Sequence, residues 1–437
     1  MNPNEKTFCV SPFSEVRICA DGKLRFCHAA DRSYLPDSDN INDISIDEYF
    51  NNSLTVSESR TNLLNGKYLD PCHGCYYTEK MNSLSFRMRR NLQAAIFQND
   101  DFFPSFEESY QRLKNFTKPR FYHISLSNLC NMGCMMCDSH GSNLLSKTFS
   151  KAGIFENTKK HLMDWTSNDL AWNSFCDHLL NNEHIVCLHF MGGEPLLHKK
   201  FYELIDFLID NDHTDFHLTF VTNGSTYPPE LIPKLKKFKS LQIEISIETT
   251  KKSNDYIRYP SNTSKIVQNI RNFCQNRDDT TDILLRTVPQ ILSVHDYTSI
   301  LNLGLETNTI VDSNFLQEPS FLKPNILSDK EKKIVIKKLK KFVLKHHNKN
   351  TVNFRDRSNI EKQISENAQR VINAINEPCN DVNYERKQLI EYCAKIDSVR
   401  KQDIRSFIPE LESILNRYGY ESARYNNKHK FTIYKRD

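Results

Sequence analysis

Short apolar runs alternate with amphipathic stretches of helical period through residues 120–327, and this alternation is the main structural signal of the chain. Strand-like runs are predicted at 121–127, 184–190, 216–222, 241–248, 282–292 and 308–317, with helical stretches between them. Successive strand-helix units are typical of a parallel sheet covered by helices. Six such units predict an open (β/α)6 barrel rather than a closed eight-fold one.

The chain on either side of this core has a different pattern. Residues 1–90 contain short strands and turns punctuated by Pro, Gly, Asp and Asn, and residues 91–119 look like a mostly helical linker. After the core at 120–327, residues 328–437 are polar and mostly helical. We therefore predict an α/β protein with a small amino-terminal module, a partial (β/α)6 TIM-like barrel and a helical carboxyl-terminal extension.

Composition and charge narrow the class of protein. Of the 437 residues, 38% are hydrophobic and 11% aromatic, which is enough for a substantial core. No run approaches the ~18 consecutive apolar residues of a membrane span. The formal net charge of +4 predicts no obligatory polyanionic partner. No hydrophobic leader precedes Cys9, so we expect a soluble cytoplasmic protein whose cysteines bind metal rather than form disulfides.

Three cysteines, Cys130, Cys134 and Cys137, follow directly after the first strand-like run of the core. Parallel α/β folds keep their chemistry in the loops beyond the carboxyl ends of the strands. Three soft ligands in one short loop suit an iron-sulfur cluster that keeps one iron free of protein ligands. A zinc site with a fourth ligand elsewhere in the chain is the alternative.

Further candidate residues end later strand-like runs. Two glycines let the backbone approach a ligand closely, and a carboxylate beside them can accept hydrogen bonds from an ammonium group. An ordinary turn with a helix N-terminal charge would produce the same pattern. This first segment contains Gly192, Gly193 and Glu194. Polar residues also end or follow later runs at Asn223, Ser246, Glu248 and Arg258, and for Arg258 a surface or ion-pairing position is the ordinary explanation.

The cysteine spacing, with Met136 directly before Cys137, resembles the signature of the radical S-adenosylmethionine (SAM) superfamily. The segments Gly-Gly-Glu-Pro, Thr-Asn-Gly and Ser-Ile-Glu follow in the order of that family. The resemblance implies a catalytic [4Fe-4S] cluster whose open iron chelates SAM, and one-electron reduction that releases a 5′-deoxyadenosyl radical. It also makes Met136 and Asn223 candidates for cofactor binding.

The resemblance also gives roles to the other strand-end residues. Gly192 to Glu194 would hold the methionyl amine of SAM. Ser246, Glu248 and Arg258 would contact the ribose or the methionyl carboxylate. This chain departs from the family at Glu248, where the usual residue is Asp, and a ribose contact there is correspondingly less specific.

Five of the 13 cysteines precede the core motif. Cys72 and Cys75 present two thiols from one turn, Cys27 follows a hairpin-like unit around Asp21-Gly22, and Cys9 precedes a Ser-Pro-Phe segment. This arrangement resembles the SPASM and twitch auxiliary modules of radical SAM enzymes, although most relatives carry the module after the barrel. The resemblance implies a further [4Fe-4S] cluster and leaves Cys19 out. A zinc ribbon is the alternative. The implied ligands are Cys9, Cys27, Cys72 and Cys75.

The resemblance implies an oxidative modification of a peptide or protein side chain, with a flavodoxin or ferredoxin as electron donor. A small carbohydrate, nucleotide or antibiotic precursor is the alternative substrate. A zinc-stabilised protein that binds nucleic acid through the lysine-rich helix at 329–347 is a third hypothesis, but a solvated helix face is the usual explanation for such lysines. We therefore expect neither a membrane nor nucleic acid as a partner.

Overall fold

The computed structural model describes residues 7–31, 34–36, 38–80, 85–96, 115–155, 161–346, 360–421 and 431–432. Within the predicted linker, residues 97–114 lie outside these ranges, as does His347 at the end of the predicted lysine-rich helix. The chain divides into two compact units. The first unit comprises Met1–Asn128, Met163–Phe220 and Pro233–Leu241, and the second comprises Leu129–Leu162, Val221–Ile232 and Gln242–Asp437.

Strands occur at every position where the core pattern predicts one. The strands are β1 (Glu15–Ile18), β2 (Leu24–Arg25), β3 (Phe121–Ile124), β4 (Ile154–Phe155), β5 (Cys187–Phe190), β6 (His217–Thr222), β7 (Ser240–Ser246), β8 (Thr281–Thr287), β9 (Ile310–Ser313) and β10 (Phe431–Thr432). The six predicted core strands correspond to β3 and β5–β9. The fifth is shorter than predicted because Pro289, which lacks an N–H group, follows soon after Thr287 and cannot extend the ladder.

Helices separate the core strands and make up most of the carboxyl-terminal part. They are α1 (Ser11–Ser14), α2 (Ile46–Asn52), α3 (Leu54–Leu64), α4 (His73–Lys80), α5 (Phe86–Ile96), α6 (Asn143–Ala152), α7 (Asp169–Leu180), α8 (Lys199–Asp210), α9 (Ile232–Leu235), α10 (Ser253–Ile257), α11 (Thr263–Gln275), α12 (Tyr297–Glu306), α13 (Asp329–His346), α14 (Ile360–Asn376), α15 (Val382–Arg400) and α16 (Glu412–Arg417). None of the helices in the described ranges combines the length and the apolar character that crossing a bilayer requires.

In the first unit the strand order is β2-β1-β3-β5-β6. The predicted hairpin is confirmed: β1 and β2 pair antiparallel, and Gly22 takes the positive φ of 83° that the turn needs. The sequence did not predict that β1 also pairs in parallel with the core strand β3. Val16 and Ile18 lie on the same face of β1 and are both buried, so pairing with β3 places this apolar face in the core.

In the second unit β7, β8 and β9 are consecutive neighbours, and β8 pairs in parallel with β9. Carboxyl-terminal helices pack within this unit. On α15 the apolar stripe of Leu389, Tyr392, Cys393 and Ile396 is fully buried, and Ile390, Ala394 and Lys395 are buried as well, so this helix is covered on more than one face. Parallel strands that alternate with helices confirm the predicted α/β class, as in a partial (β/α)6 barrel.

Candidate metal centres

The three core cysteines lie in one loop of the second unit, between β3 and α6. Cys134 is buried, and Cys130 and Cys137 are half-buried. Burial raises the pKa of Cys137 well above its ordinary value, and the nearby Cys134 and Cys130 raise it further. Three thiolates this close together are unfavourable without a cation, because each opposes the ionisation of the others. The donor set therefore fits a metal centre, which would supply the missing positive charge.

Hydrogen-bond donors surround two of the sulfur atoms. The Met132 amide lies 3.4 Å from Cys130 Sγ, and Asn223 Nδ2 lies 3.9 Å from the same atom. Arg258 Nη1 lies 3.7 Å from Cys134 Sγ. Donors to ligating sulfurs stabilise the thiolate form and help to set the reduction potential of an iron-sulfur cluster. Asn223 and Arg258, which were predicted to contact the cofactor, therefore lie against the cysteine loop itself.

Glu248 and Arg258 form a buried ion pair beside this loop. Arg258 Nε lies 3.0 Å from Glu248 Oε1, and the side chains of Arg258 and Glu248 are 9% and 0% exposed. Glu248 Oε2 accepts from the Val288 amide at 2.7 Å and from Thr287 Oγ1 at 3.1 Å. Both carboxylate oxygens are thus engaged within the protein. This arrangement favours a positioning role for Glu248, and it rules out a surface position for Arg258.

The pKa of Arg258 reflects this pairing. Burial alone would lower it, but Glu248 and the Cys134 thiol raise it overall. The guanidinium therefore stays charged next to Cys134. Two other candidates of the second unit, Met136 and Ser246, are half-buried.

Glu248→Ala is expected to destabilise the protein by about 3–5 kcal/mol, because it leaves the Arg258 charge buried without a partner. Urea unfolding of protein with matched iron content would measure the loss. Glu306→Ala is the matched control, since the Arg271–Glu306 pair (2.8 Å) in the same unit is exposed and should contribute less than about 1 kcal/mol. Equal small effects for the two variants would contradict a buried pair.

Gly192 to Glu194 lie in the first unit, directly after β5. Gly192 and Gly193 have φ values of 81° and 61°, and a Cβ at Gly192 would collide with Ser125 Oγ. Glu194 is buried, caps the short 3-10 helix Pro195–Leu197 and lines a cavity of about 190 Å³. Both features of the alternative explanation, an ordinary turn and a carboxylate at a helix N-terminus, are therefore present. A role of this segment in holding the SAM amine stays a prediction.

Four amino-terminal cysteines of the first unit line one apolar cavity of about 340 Å³. These are Cys9, Cys27, Cys72 and Cys75, the four that the resemblance implied as ligands. Burial raises the pKa of Cys9 to about 11 and that of Cys72 to about 12. The Cys9 thiol raises the pKa of Cys72 further, and both thiols raise the pKa of Cys27. Four mutually opposed thiols, of which two are buried and two half-buried, again fit a bound cation.

Cys19 does not line this cavity. Its backbone belongs to the β1–β2 hairpin, where the amide donates to the Lys23 carbonyl at 2.9 Å and the carbonyl accepts from Gly22 at 2.9 Å. Cys27, in contrast, receives a hydrogen bond on its sulfur from the Ala29 amide at 3.3 Å. Among the described residues, Cys19 is therefore not part of the group of four cysteines that line the cavity.

A polar cluster that the sequence did not predict lies near Cys27 in the first unit. Ligand atoms of Glu15, His28 and His123 lie within 4.8 Å of one another. However, Arg90 Nη2 is 2.6 Å from His123 Nε2, and Arg90 Nε is 3.1 Å from Glu15 Oε2. Although burial alone would raise the pKa of Glu15, Arg90 and His28 lower it to about 2. The cation of this cluster is thus an arginine, which argues against a metal site.

Two residues of α15, Tyr392 and Arg400, also contact the cysteine loop, and sequence reasoning missed both. Tyr392 OH donates to the Met135 carbonyl at 2.8 Å, and Arg400 donates to the Gly133 carbonyl. The buried apolar stripe on α15 was visible in the sequence, but the surface that it covers was not.

Residues 124–285 match the family model of the radical SAM superfamily. An S-adenosylmethionine-dependent nucleotide dehydratase of Selenomonas ruminantium is 27% identical over 132 residues, which cover 28% of this chain and 38% of that protein. The match therefore spans well under half of this curated relative's length.

Two solved structures show weaker likeness. The enzyme anSMEcpe with bound AdoMet is 18% identical, with a TM-score of 0.39 over 54% of this chain and 64% of that chain. SuiB of Streptococcus suis bound to the precursor peptide SuiA is 11% identical, with a TM-score of 0.31 over 64% of this chain and 57% of that chain. Residues 124–285, with the cysteine loop inside them, therefore carry the similarity of this chain to the radical SAM superfamily.

Proposed function

We propose that this protein is a radical SAM enzyme that uses a second iron-sulfur cluster to oxidise a substrate radical. The observation that carries this proposal is the presence of two separate groups of clustered cysteines, three in the core loop and four around the amino-terminal cavity. When bound and reduced by one electron, the catalytic [4Fe-4S] cluster and SAM supply a 5′-deoxyadenosyl radical that abstracts hydrogen from a substrate.

The residues of the core loop would hold and tune the catalytic centre. Cys130, Cys134 and Cys137 would ligate three irons and leave the fourth for SAM. Asn223 and Arg258 would donate to the ligating sulfurs, as their present contacts with Cys130 and Cys134 indicate. Gly192 to Glu194 would hold the methionyl amine, Met136 and Ser246 would line the SAM site, and Glu248 would fix Arg258. A flavodoxin or ferredoxin would supply the electron.

The amino-terminal cysteines would hold the auxiliary cluster. Four thiols around one cavity would ligate all four irons of a [4Fe-4S] cluster, so no iron would remain for a substrate. This favours an electron-accepting role over direct substrate binding. Electron transfer to such a cluster makes the overall reaction a net oxidation.

For the substrate, we propose a peptide or protein side chain. The resemblance of the amino-terminal module to SPASM and twitch modules supports this class. A nucleotide is the second candidate, because the curated relative at 27% identity is a nucleotide dehydratase. Dehydration is redox-neutral and does not require an oxidant, so an auxiliary electron acceptor favours the first candidate.

Anaerobic purification with iron and sulfide analysis tests the proposed chemistry. We expect about eight iron and eight sulfide per chain for two [4Fe-4S] clusters. Added SAM and a strong reductant should yield 5′-deoxyadenosine. Zinc without sulfide, or intact SAM after reduction of fully loaded protein, would overturn the proposal.

Isotope transfer would identify the substrate class. Extracts of cells grown on deuterated medium would be separated into protein and small-molecule fractions and added to the enzyme with unlabelled SAM. Deuterium in 5′-deoxyadenosine from the protein fraction alone supports a peptide or protein substrate. Deuterium only from the small-molecule fraction would exclude that class and favour a nucleotide or another metabolite.

A further inference from the structure

Two side chains of α15 donate hydrogen bonds to backbone carbonyl groups of the cysteine loop. Tyr392 OH donates to the Met135 carbonyl at 2.8 Å, and Arg400 donates to the Gly133 carbonyl and approaches Met135 Sδ at 3.4 Å. Tyr392 is fully buried, and Arg400 is 7% exposed. Both contacts lie within the second unit and join residues more than 250 positions apart in the chain.

The amide groups of the same two loop residues are held by another segment of the second unit. The Gly133 amide donates to the Tyr259 carbonyl at 2.6 Å, and the Met135 amide donates to the Ile257 carbonyl at 2.8 Å. The backbone on both sides of Cys134 is therefore fixed in both hydrogen-bonding directions. Such an arrangement restricts where the sulfur of Cys134 can lie.

Arg400 also places a positive charge at the cysteine loop. Among the residues that the structure describes, no carboxylate forms an ion pair with it. Its other contacts are the Tyr256 carbonyl at 3.4 Å and the face of the Tyr259 ring at 4.7 Å. Burial lowers the pKa of Arg400, and the nearby Tyr392, Tyr256, Cys134 and Asp397 oppose this effect. A buried cation without an ion-pair partner is costly, so a negatively charged group at the loop would stabilise it.

We propose that Arg400 is a positioning residue that fixes the loop around Cys134 and favours the reduced state of the catalytic cluster through its charge. A [4Fe-4S] cluster with three thiolate ligands is negatively charged, and the electron from the external donor adds one more negative charge. A nearby fixed cation stabilises the product of that step more than its starting state. Tyr392 contributes only to loop geometry. The proposal rests on the assignment of this loop to the catalytic cluster.

Arg400→Gln tests the charge. In an EPR-monitored redox titration without SAM, the ratio of reduced to oxidised catalytic cluster at a given potential should fall about tenfold, which corresponds to about 59 mV for one electron. Arg400→Lys should recover most of the shift. Arg405→Gln is the matched control, because Arg405 lies on the same extension and is exposed, and its ion pair is with Asp403. An unchanged potential in Arg400→Gln would overturn the electrostatic role.

Hydrogen exchange of the iron-free protein tests the positioning role separately from any cluster. Tyr392→Phe removes one hydrogen bond to the loop and keeps the ring, so exchange in residues 130–137 should become about fivefold faster, with the potential of the loaded protein unchanged. Arg400→Gln should show both effects. Unchanged loop exchange in both variants would exclude the positioning role.

If Arg400→Gln fails to load iron, the titration of Arg400→Met, which also removes the charge, takes its place, and the exchange of Tyr392→Phe still decides the positioning role. A lack of SAM cleavage by the unmodified protein would refute the proposed function. It would leave both of these measurements interpretable.

Discussion

Cys134→Ala should lower the rate of 5′-deoxyadenosine formation by more than about a hundredfold, because even partners outside the ligand set are worth about 10- to 100-fold at metal sites. Cys134 is the most buried of the three loop cysteines, and its sulfur accepts from Arg258 at 3.7 Å. Removing it would leave two protein thiolates for the cluster and would remove the sulfur that accepts from Arg258. Product formation by anaerobically reconstituted protein, quantified by mass spectrometry, would measure the loss.

Cys274→Ala is the matched control for this experiment. Cys274 is an isolated, half-buried cysteine of the second unit on α11, where its sulfur lies 3.3 Å from Thr309 Oγ1. Its removal should leave both the iron content and SAM cleavage unchanged. Full activity of Cys134→Ala at normal iron content would contradict the assignment of the core loop as the catalytic ligand set.

The fold was largely predictable where local pattern determines it. Each core strand is a short apolar run between turn residues, and β3 and β5–β9 lie where those runs occur. The partner of β1 was not predictable, since parallel pairing with β3 joins segments more than 100 residues apart and has no turn to mark it. In addition, Glu15 and Arg17 make β1 look like a solvent-exposed strand, although both side chains are buried.

The candidate site shows the same division between local and distant information. The cysteine spacing placed Cys130, Cys134 and Cys137 in one loop, and strand-end positions identified Asn223 and Arg258 as neighbours of that loop. Arg400 could not be found in this way, because no motif links the end of a helix to a loop 267 residues earlier. An arginine that ends a helix with a buried apolar stripe is a weak signal for such a contact.

Glu248 illustrates a motif that identified the position but not the contacts. The resemblance implied contact with SAM, whereas its carboxylate accepts from Arg258, Thr287 and the Val288 amide. Its longer side chain, compared with the Asp that is usual in the family, allows it to reach these groups. No motif indicated these contacts, because Arg258 directly follows α10 while Thr287 and Val288 lie at the end of β8.

Cys72→Ala should have the opposite signature to Cys134→Ala: SAM cleavage persists, while modified substrate falls below detection. Cys72 lines the amino-terminal cavity of the first unit, and the core loop lies in the second unit. Losing the auxiliary cluster would remove the electron acceptor of the substrate radical and leave the catalytic cluster loaded. Iron content should therefore fall from about eight to about four per chain.

The double variant Cys72→Ala/Cys75→Ala removes two of the four proposed ligands and should show the same signature as the single variant. Cys19→Ala is the control, since Cys19 is a buried cysteine of the same module that does not line the cavity. It should keep about eight iron and normal turnover. If the double variant still oxidised substrate, the electron would have another acceptor, and the four clustered cysteines would have a structural role only.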